Sequence, residues 1–222
     1  MPTALILGAS RGIGREYVRQ LRAQGWRVLA TARTDADIDS LKNEGAEATR
    51  LDVTKPESLA GLGWQLDGEK LDLAVYVSGV YGPGTGATAP PSAADFDKVM
   101  HTNVLGAMQA LPVVAPMVEA ARGRFAFISS GMGSIASADN THGWVYRVSK
   151  AALNMAVHSA SHDYPQAIFV VLNPGWVQTD MGGPSAPLTV QDSVSSMLRV
   201  IAALQPQDSG GAREPDGSVM PW

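Results

Sequence analysis

The sequence predicts an α/β fold, a single-domain doubly wound parallel sheet with helices on both faces, and three observations carry the prediction. Short apolar runs alternate with amphipathic stretches along the whole length. The apolar runs lack the period-two polarity of a half-exposed strand, as strands covered on both faces do. The chain has 222 residues, enough for one sizeable domain and short for two. No internal repeat or linker divides it, so residues 1–222 are read as one unit.

The first strand is "ALILG" at 4–8, followed by a helix over 14–25 that Gly25 stops. "RVLATAR" (27–33) is the second strand, and a helix near 35–44 ends at Gly45. "ATRLDV" (48–53) is the third strand; a short helix near 56–66 leads to "LDLAVYVSG" (71–79), the fourth. The stretch 78–94 is too rich in Gly and Pro to be an element and reads as a loop over a site. Residues 93–121 read as a long helix broken or bent around Asn103, Pro112 and Pro116. "RFAFISS" (124–130), a helix over 143–163, "AIFVVLNPG" (167–175) and a last helix over 189–204 complete six strands. In such a fold ligands sit at the carboxyl ends of the strands.

Composition narrows the function. Apolar residues make up 45% and charged residues 17%, a globular balance. A formal net charge of -4 provides no basic field, which speaks against nucleic acid and anionic membrane as partners. The absence of cysteine removes disulfides, thiolate zinc sites and cysteine nucleophiles together. The first residues pass straight into a strand-like run, and no apolar run reaches the roughly 20 residues of a membrane span. A soluble, cytoplasmic protein is expected.

Two local patterns carry chemistry. In "LGASRGIGRE" (7–16), Gly8, Gly12 and Gly14 surround Ser10, Arg11 and Ile13 at the junction of strand and helix. Glycines there let backbone N–H groups approach a pyrophosphate at the helix N-terminus. The spacing is G-x3-G-x-G, so a bare tight turn is an alternative. Gly8-Ala9-Ser10-Arg11-Gly12 also fits the G-x-S-x-G nucleophile elbow, which then needs an Asp and a His after later strands. The last histidine, His162, lies inside a predicted helix and no HGGG-like segment is present.

The second pattern is "VYRVSK" (145–150), which puts Tyr146 and Lys150 one helical turn apart on a shared face. A phenol has a pKa near 10, and an ammonium within about 4–6 Å favours the phenolate. An interfacial tyrosine beside an unrelated lysine is the bland alternative. His158 and His162 share the four-residue spacing of a metal pair, but no third ligand follows, and His101 and His142 are equally isolated; no metal is expected. Met155 and Met181 read as core or pocket lining.

Taken together, the glycine loop, Asn103 in "HTNVLG", Ser130 in "ISSGMG", Tyr146 with Lys150, and "NPGWVQTD" resemble the short-chain dehydrogenase/reductase family, in its order and spacing over nearly the whole chain. The ending "DGSVMPW" and the interval from Ser130 to Tyr146 look most like its carbonyl-reductase-like and C-factor-like branch. The resemblance implies a Rossmann fold with Tyr146 as general acid/base, Ser130 polarising the substrate oxygen, and Lys150 supporting Tyr146 while holding the cofactor ribose. It implies that Asn103 bends its helix and offers a carbonyl to a water beside the lysine. Cofactor contacts fall by resemblance on Asp52 and Val53, on Gly79, on Pro174 and Gly175, and on Val177 and Thr179. Ser130 could instead cap a turn, with Ser134 as a stand-in. One departure stands out: the family's Asn-Asn-Ala-Gly is Tyr76-Val77-Ser78-Gly79 here, so Gly79 is kept and the asparagines are lost.

Strand two ends "ATARTD", where an acidic residue would favour NAD and arginine NADP. Arg33 together with Arg11 makes a clamp for a 2′-phosphate, with Asp35 nearby as a counter-signal, so NADP(H) is preferred over NAD(H). The resulting expectation is NADPH-dependent, reversible reduction of an aldehyde or ketone to an alcohol. The alternative is a catalytically weak dinucleotide-binding signalling or regulatory protein. The short segment Asp180–Leu188 implies an open pocket lined by Met132, Trp144, Trp176 and Met181, suited to a small apolar or aromatic carbonyl compound. The long helices near 93–121 and 143–163 are surfaces that pair in relatives, giving a homodimer or homotetramer.

Overall fold

Five consecutive buried residues, Thr3–Leu7 (β1), form an inner strand of the sheet, and the computed structural model describes all residues from 1 to 222 around them. The strands that follow are β2 (Arg27–Ala32), β3 (Glu47–Arg50), β4 (Leu73–Tyr76), β5 (Arg124–Ile128), β6 (Ile168–Leu172) and β7 (Gly211–Arg213). All pair in parallel, in the order β3-β2-β1-β4-β5-β6-β7. Register places Leu5 beside Leu29 and Ala74, and those side chains enter one core with Phe125, Phe127 and Phe169. Their neighbours Ala4, Ile6, Ala30, Val75 and Val170 enter a second core on the other face. Both faces are apolar because both are covered, which is why the strands show no alternation in sequence.

The helices are α1 (Gly12–Ala23), α2 (Asp35–Asn43), α3 (Pro56–Gln65), α4 (Ala93–Met100), α5 (Gly106–Ala120), α6 (Trp144–Ala160) and α7 (Val190–Ala203). Their starts follow local chemistry. Hydroxyls of Thr34, Ser92 and Thr189 accept from the backbone N–H three residues on, capping α2, α4 and α7. Pro56 opens α3, where its missing N–H leaves no gap. α1 and α2 give way to Gly25 (φ +80°) and Gly45 (φ +83°), left-handed positions that favour glycine.

Three differences from the sequence reading have physical causes. β7 is a seventh strand of only three residues, "GAR", too short and too polar to show an apolar run. The break in the long helix is a π-helical turn, His101–Leu105, with Gly106 N–H reaching back to the His101 carbonyl. Pro112 and Pro116 lie inside α5, so the interruption is at Asn103 rather than at the prolines. The predicted fourth strand, 71–79, is regular only over Leu73–Tyr76, because its last residues leave the sheet to build the site. No helix is long and apolar enough to cross a membrane.

Strand order reverses at β1, which has β2 on one side and β4 on the other. The loops leaving β1 and β4 therefore diverge over a crevice at their carboxyl ends, the ligand position of such sheets.

Candidate active site

The glycine turn after β1 is shaped by close approach. A Cβ on Gly8 would lie 2.5 Å from the Ser78 hydroxyl, and one on Gly14 would run into the Gly8 carbonyl oxygen. Gly8 (φ +94°) and Gly12 (φ +51°) both take left-handed conformations. The turn is tied to β2, with Ala9 N–H donating to the Thr31 carbonyl (2.8 Å) and Gly8 N–H to the Thr31 hydroxyl (3.1 Å). Arg11 precedes α1 in extended conformation and gives it no side-chain cap, and the first turn carries no acidic residue. The N–H groups of Gly12, Ile13 and Gly14 thus sit at an uncapped, partially positive helix end beside Ser10.

Tyr146 and Lys150 lie on the first turns of α6, both buried. The helix starts after Gly143, whose φ of +66° turns the chain into it. Lys150 Nζ lies over the Tyr146 ring, 5.5 Å from its centroid, and donates to the Ile128 carbonyl at the end of β5 (2.8 Å). Burial lowers the lysine pKa to about 8. Burial also pushes the Tyr146 phenol up to about 12, with the Ser130 hydroxyl pulling down and Tyr81 pushing up. In the protein without cofactor the net shift is therefore upward, set by burial rather than by the neighbouring ammonium. Among the protein's own side chains, taking the phenolate out of water outweighs what surrounds it.

Ser130 faces Tyr146 and also caps the short turn Gly131–Gly133, its hydroxyl accepting from Met132 N–H (3.1 Å). The cap reading of Ser130 holds, and the same hydroxyl is left beside the Tyr146 phenol. Ser134 is buried and engaged locally, accepting from Ser137 N–H (3.2 Å) and donating to the Ser137 hydroxyl (3.1 Å).

Asn103 is fully buried, and its side chain is a clamp. Oδ1 accepts from Val80 N–H (2.8 Å), while Nδ2 donates to the Val80 carbonyl (2.9 Å) and to the Ser149 hydroxyl (2.9 Å). Ser149 in turn donates to the Tyr146 carbonyl (2.8 Å). A Cβ on Gly79 would lie 3.4 Å from Asn103 Oδ1 and 3.5 Å from Lys150 Nζ, so bare backbone separates the two polar groups.

The two arginines have different surroundings. Arg11 Nη1 pairs with Asp180 Oδ2 at 2.7 Å, and both side chains are exposed. That bond ties Arg11, at the glycine turn, to the loop after β6. Arg33 is exposed at the end of β2 and contributes positive potential at Asp52. Asp35, the counter-signal, is ion-paired with Arg50. The Asp52 carboxylate is held below its usual range despite partial burial, accepting from Thr54 N–H (3.1 Å) and the Thr54 hydroxyl (2.7 Å). Val53 packs against Gly106.

Past β6, Pro174 and Gly175 (φ +78°) make the turn, and the Ser193 hydroxyl of α7 donates to the Pro174 carbonyl (2.7 Å). Val177 is buried and bridges to Leu188, which folds the segment between them back on itself. Thr179 lies against Gly12, 3.4 Å from where a Cβ would stand. Trp176 and Met181 are exposed beside this loop, and Met132 lies against Gly143. His158 and His162 meet edge to face with centroids 5.5 Å apart, His158 Nδ1 meets the Gly210 carbonyl (2.9 Å), and no group of three metal-ligating side chains assembles.

Sequence reasoning missed Tyr81 and Ser149. The Tyr81 ring lies 4.8 Å from that of Tyr146, and its hydroxyl abuts Gly143. Its signal was an aromatic residue inside the Gly/Pro-rich loop 78–94, where apolar side chains need a reason. Ser149 sits next to Lys150 in "VSK" and carried no signal of its own.

A family model described as short chain dehydrogenase matches residues 2–187. The "C-signal" protein of Myxococcus xanthus is 45% identical over 132 residues, covering 58% of this chain and 80% of that protein. The crystal structure of an NADPH-bound carbonyl reductase from chicken fatty liver superposes with a TM-score of 0.89 at 30% identity, covering 100% of this chain and 99% of that one. The carbonyl reductase Sniffer of D. melanogaster gives a TM-score of 0.90 at 27% identity over the whole of both chains. Since the family match begins in β1 and runs past β6, through the glycine turn and the helix bearing Tyr146 and Lys150, the chain belongs to the short-chain dehydrogenase family of oxidoreductases.

Proposed function

We propose that the protein is a carbonyl reductase that uses NADPH to convert an aldehyde or ketone to an alcohol, reversibly. The observation that carries this reading is the convergence of Ser130, Tyr146 and Lys150 beside the crevice where the β1 and β4 loops part. The residues fit a dinucleotide: the side-chain-free turn at Gly8, Gly12 and Gly14 leaves room for a pyrophosphate, and Gly79 leaves space against Lys150. NADPH supplies the hydride when bound. Tyr146 donates the proton to the carbonyl oxygen, and Ser130 donates a hydrogen bond to the same oxygen as charge develops there. Burial keeps Tyr146 protonated at neutral pH, and the Lys150 ammonium beside its ring favours release of the proton. Lys150, cationic below about pH 8, holds the ribose end of the cofactor and stabilises the phenolate that proton donation leaves.

Preference for the phosphorylated cofactor rests on Arg33 at the end of β2, with Asp35 neutralised by Arg50. Arg11, paired with Asp180, is the lesser contributor. Structural neighbours holding NADPH or NADP, including a carbonyl reductase from Pseudomonas aeruginosa PAO1 at a TM-score of 0.84 and 27% identity, support the same choice. Exposed Trp144, Trp176 and Met181, with Met132 and Tyr81, form an open apolar rim that suits apolar and aromatic carbonyl compounds of several sizes. Exposed Phe96, Met108, Val148 and Met155 on α4, α5 and α6 give a face on which two copies of the chain pair.

The test is NADPH oxidation with a panel of apolar, aromatic and charged carbonyl compounds. Turnover of several apolar substrates supports the reading; its absence across the panel overturns it. A second reading, a signalling protein, is favoured by the similarity to C-signal and predicts NADPH binding with no such turnover.

A further inference from the structure

We infer that Tyr76 is a positioning residue for the site: its hydroxyl fixes the π-helical turn that carries Asn103, and through Asn103 the placement of α6. The inference rests on the reductase reading, and it concerns the one place where the chain departs from its family's sequence pattern.

In an α-helix the carbonyl of residue 102 accepts from the N–H of residue 106. Here Gly106 N–H is diverted to the His101 carbonyl, as a π turn requires. The Tyr76 hydroxyl, arriving from the end of β4, donates to the Thr102 carbonyl at 3.1 Å. It thus supplies from another element the donor that the π turn takes away. Tyr76 is fully buried, and its ring stacks on Phe127 with centroids 5.9 Å apart, so the phenol is aimed rather than free. Gly106 completes the fit, because a Cβ there would lie 2.8 Å from the Tyr76 hydroxyl oxygen and 2.9 Å from the Val53 carbonyl. A π turn puts one extra residue into the helix, so reverting to α geometry rotates the segment before it relative to α5 and swings Asn103 off its partners.

Those partners are the site. Asn103 clamps both backbone groups of Val80, directly after Gly79, and donates to Ser149, whose hydroxyl holds the Tyr146 carbonyl. The chain of bonds runs from Tyr76 through the π turn to the loop after β4 and the first turn of the catalytic helix. An asparagine at 76, as the family has, is too short to reach the Thr102 carbonyl by the same route.

Tyr76→Phe removes one oxygen and keeps the ring, and Gly106→Ala attacks the same bond by crowding the hydroxyl. Phe169→Leu, in the same core but remote from the turn, is the control for lost stability. The first readout is amide hydrogen exchange at Val80 in the protein alone, which reports the Asn103 clamp without any turnover. Tyr76→Phe should speed it at least tenfold, Gly106→Ala should do the same, and Phe169→Leu should lower Tm without this local effect. The second readout is kinetic: Tyr76→Phe should lower kcat at least tenfold with KM for NADPH within threefold of wild type. Acceleration of Val80 exchange by less than tenfold in Tyr76→Phe overturns the inference, whatever the activity. A wild-type protein without carbonyl turnover overturns the reductase reading and leaves the exchange result to decide the role of Tyr76.

Discussion

Lys150 Nζ donates to the Ile128 carbonyl at 2.8 Å, which pins the ammonium against the end of β5. Because the group is enclosed, its pKa falls from the ordinary 10.5 to about 8. The charge proposed to hold the cofactor is therefore lost as pH rises through about 8, well before an exposed lysine would lose it. NADPH affinity should weaken severalfold between pH 7 and pH 9, read by fluorescence titration. Lys150→Met should bind weakly at both values, with the pH dependence gone. The linkage sign for stability is opposite: the buried ammonium opposes folding below about pH 8, and that opposition is relieved as pH rises from there towards 10.5.

Arg33 and Arg11 should separate cleanly. NADPH should bind at least tenfold more tightly than NADH, about 1.4 kcal/mol. Arg33→Ala should remove most of that preference while leaving NADH affinity nearly unchanged. Arg11→Ala should change that preference much less than Arg33→Ala, since Arg11 is paired with Asp180. Isothermal titration of both variants with both cofactors checks this; equal losses for Arg33→Ala would make Arg33 a structural residue.

Gly14→Ala should destabilise the fold by about 3 kcal/mol, near the upper end of overpacking costs, because the added Cβ meets the rigid Gly8 carbonyl. The displaced turn should also weaken NADPH and NADH binding together. Gly25→Ala is the comparison, since nothing lies within 4 Å of a Cβ there and only the left-handed backbone (φ +80°) is strained. Chemical denaturation of both variants measures the difference.

The sheet and its helices were legible because they depend on local pattern: apolar runs such as Ala4–Leu7, caps such as Thr34, stops such as Gly25 and Gly45. The placement of the glycine turn and of Tyr146 beside Lys150 was legible because it depends on spacing within one turn or one helix. What escaped depends on residues far apart in the chain. Arg11 and Asp180 are separated by 169 positions, and nothing near Arg11 reveals its partner. The π turn at Asn103 showed as a helix with an ill-suited residue, while Tyr76, the external donor to its Thr102 carbonyl, lies 26 positions before Thr102. The phenol of Tyr146 is raised rather than lowered by a depth of burial that no spacing encodes. β7 escaped for a simpler reason, having three residues and one buried side chain.

The central claim is that Tyr146 donates the proton, and Tyr146→Phe tests it most directly, since one oxygen is lost while ring and packing remain. The proposed cofactor contacts come from the glycine turn, Arg33 and Lys150, so NADPH binding should stay within threefold of wild type. Single-turnover reduction of an aromatic aldehyde should slow by at least the ~10²–10⁴ typical of a general acid. That pairing, intact binding with lost chemistry, is the predicted result. A Tyr146→Phe protein that binds NADPH and keeps more than a tenth of wild-type turnover would contradict the account.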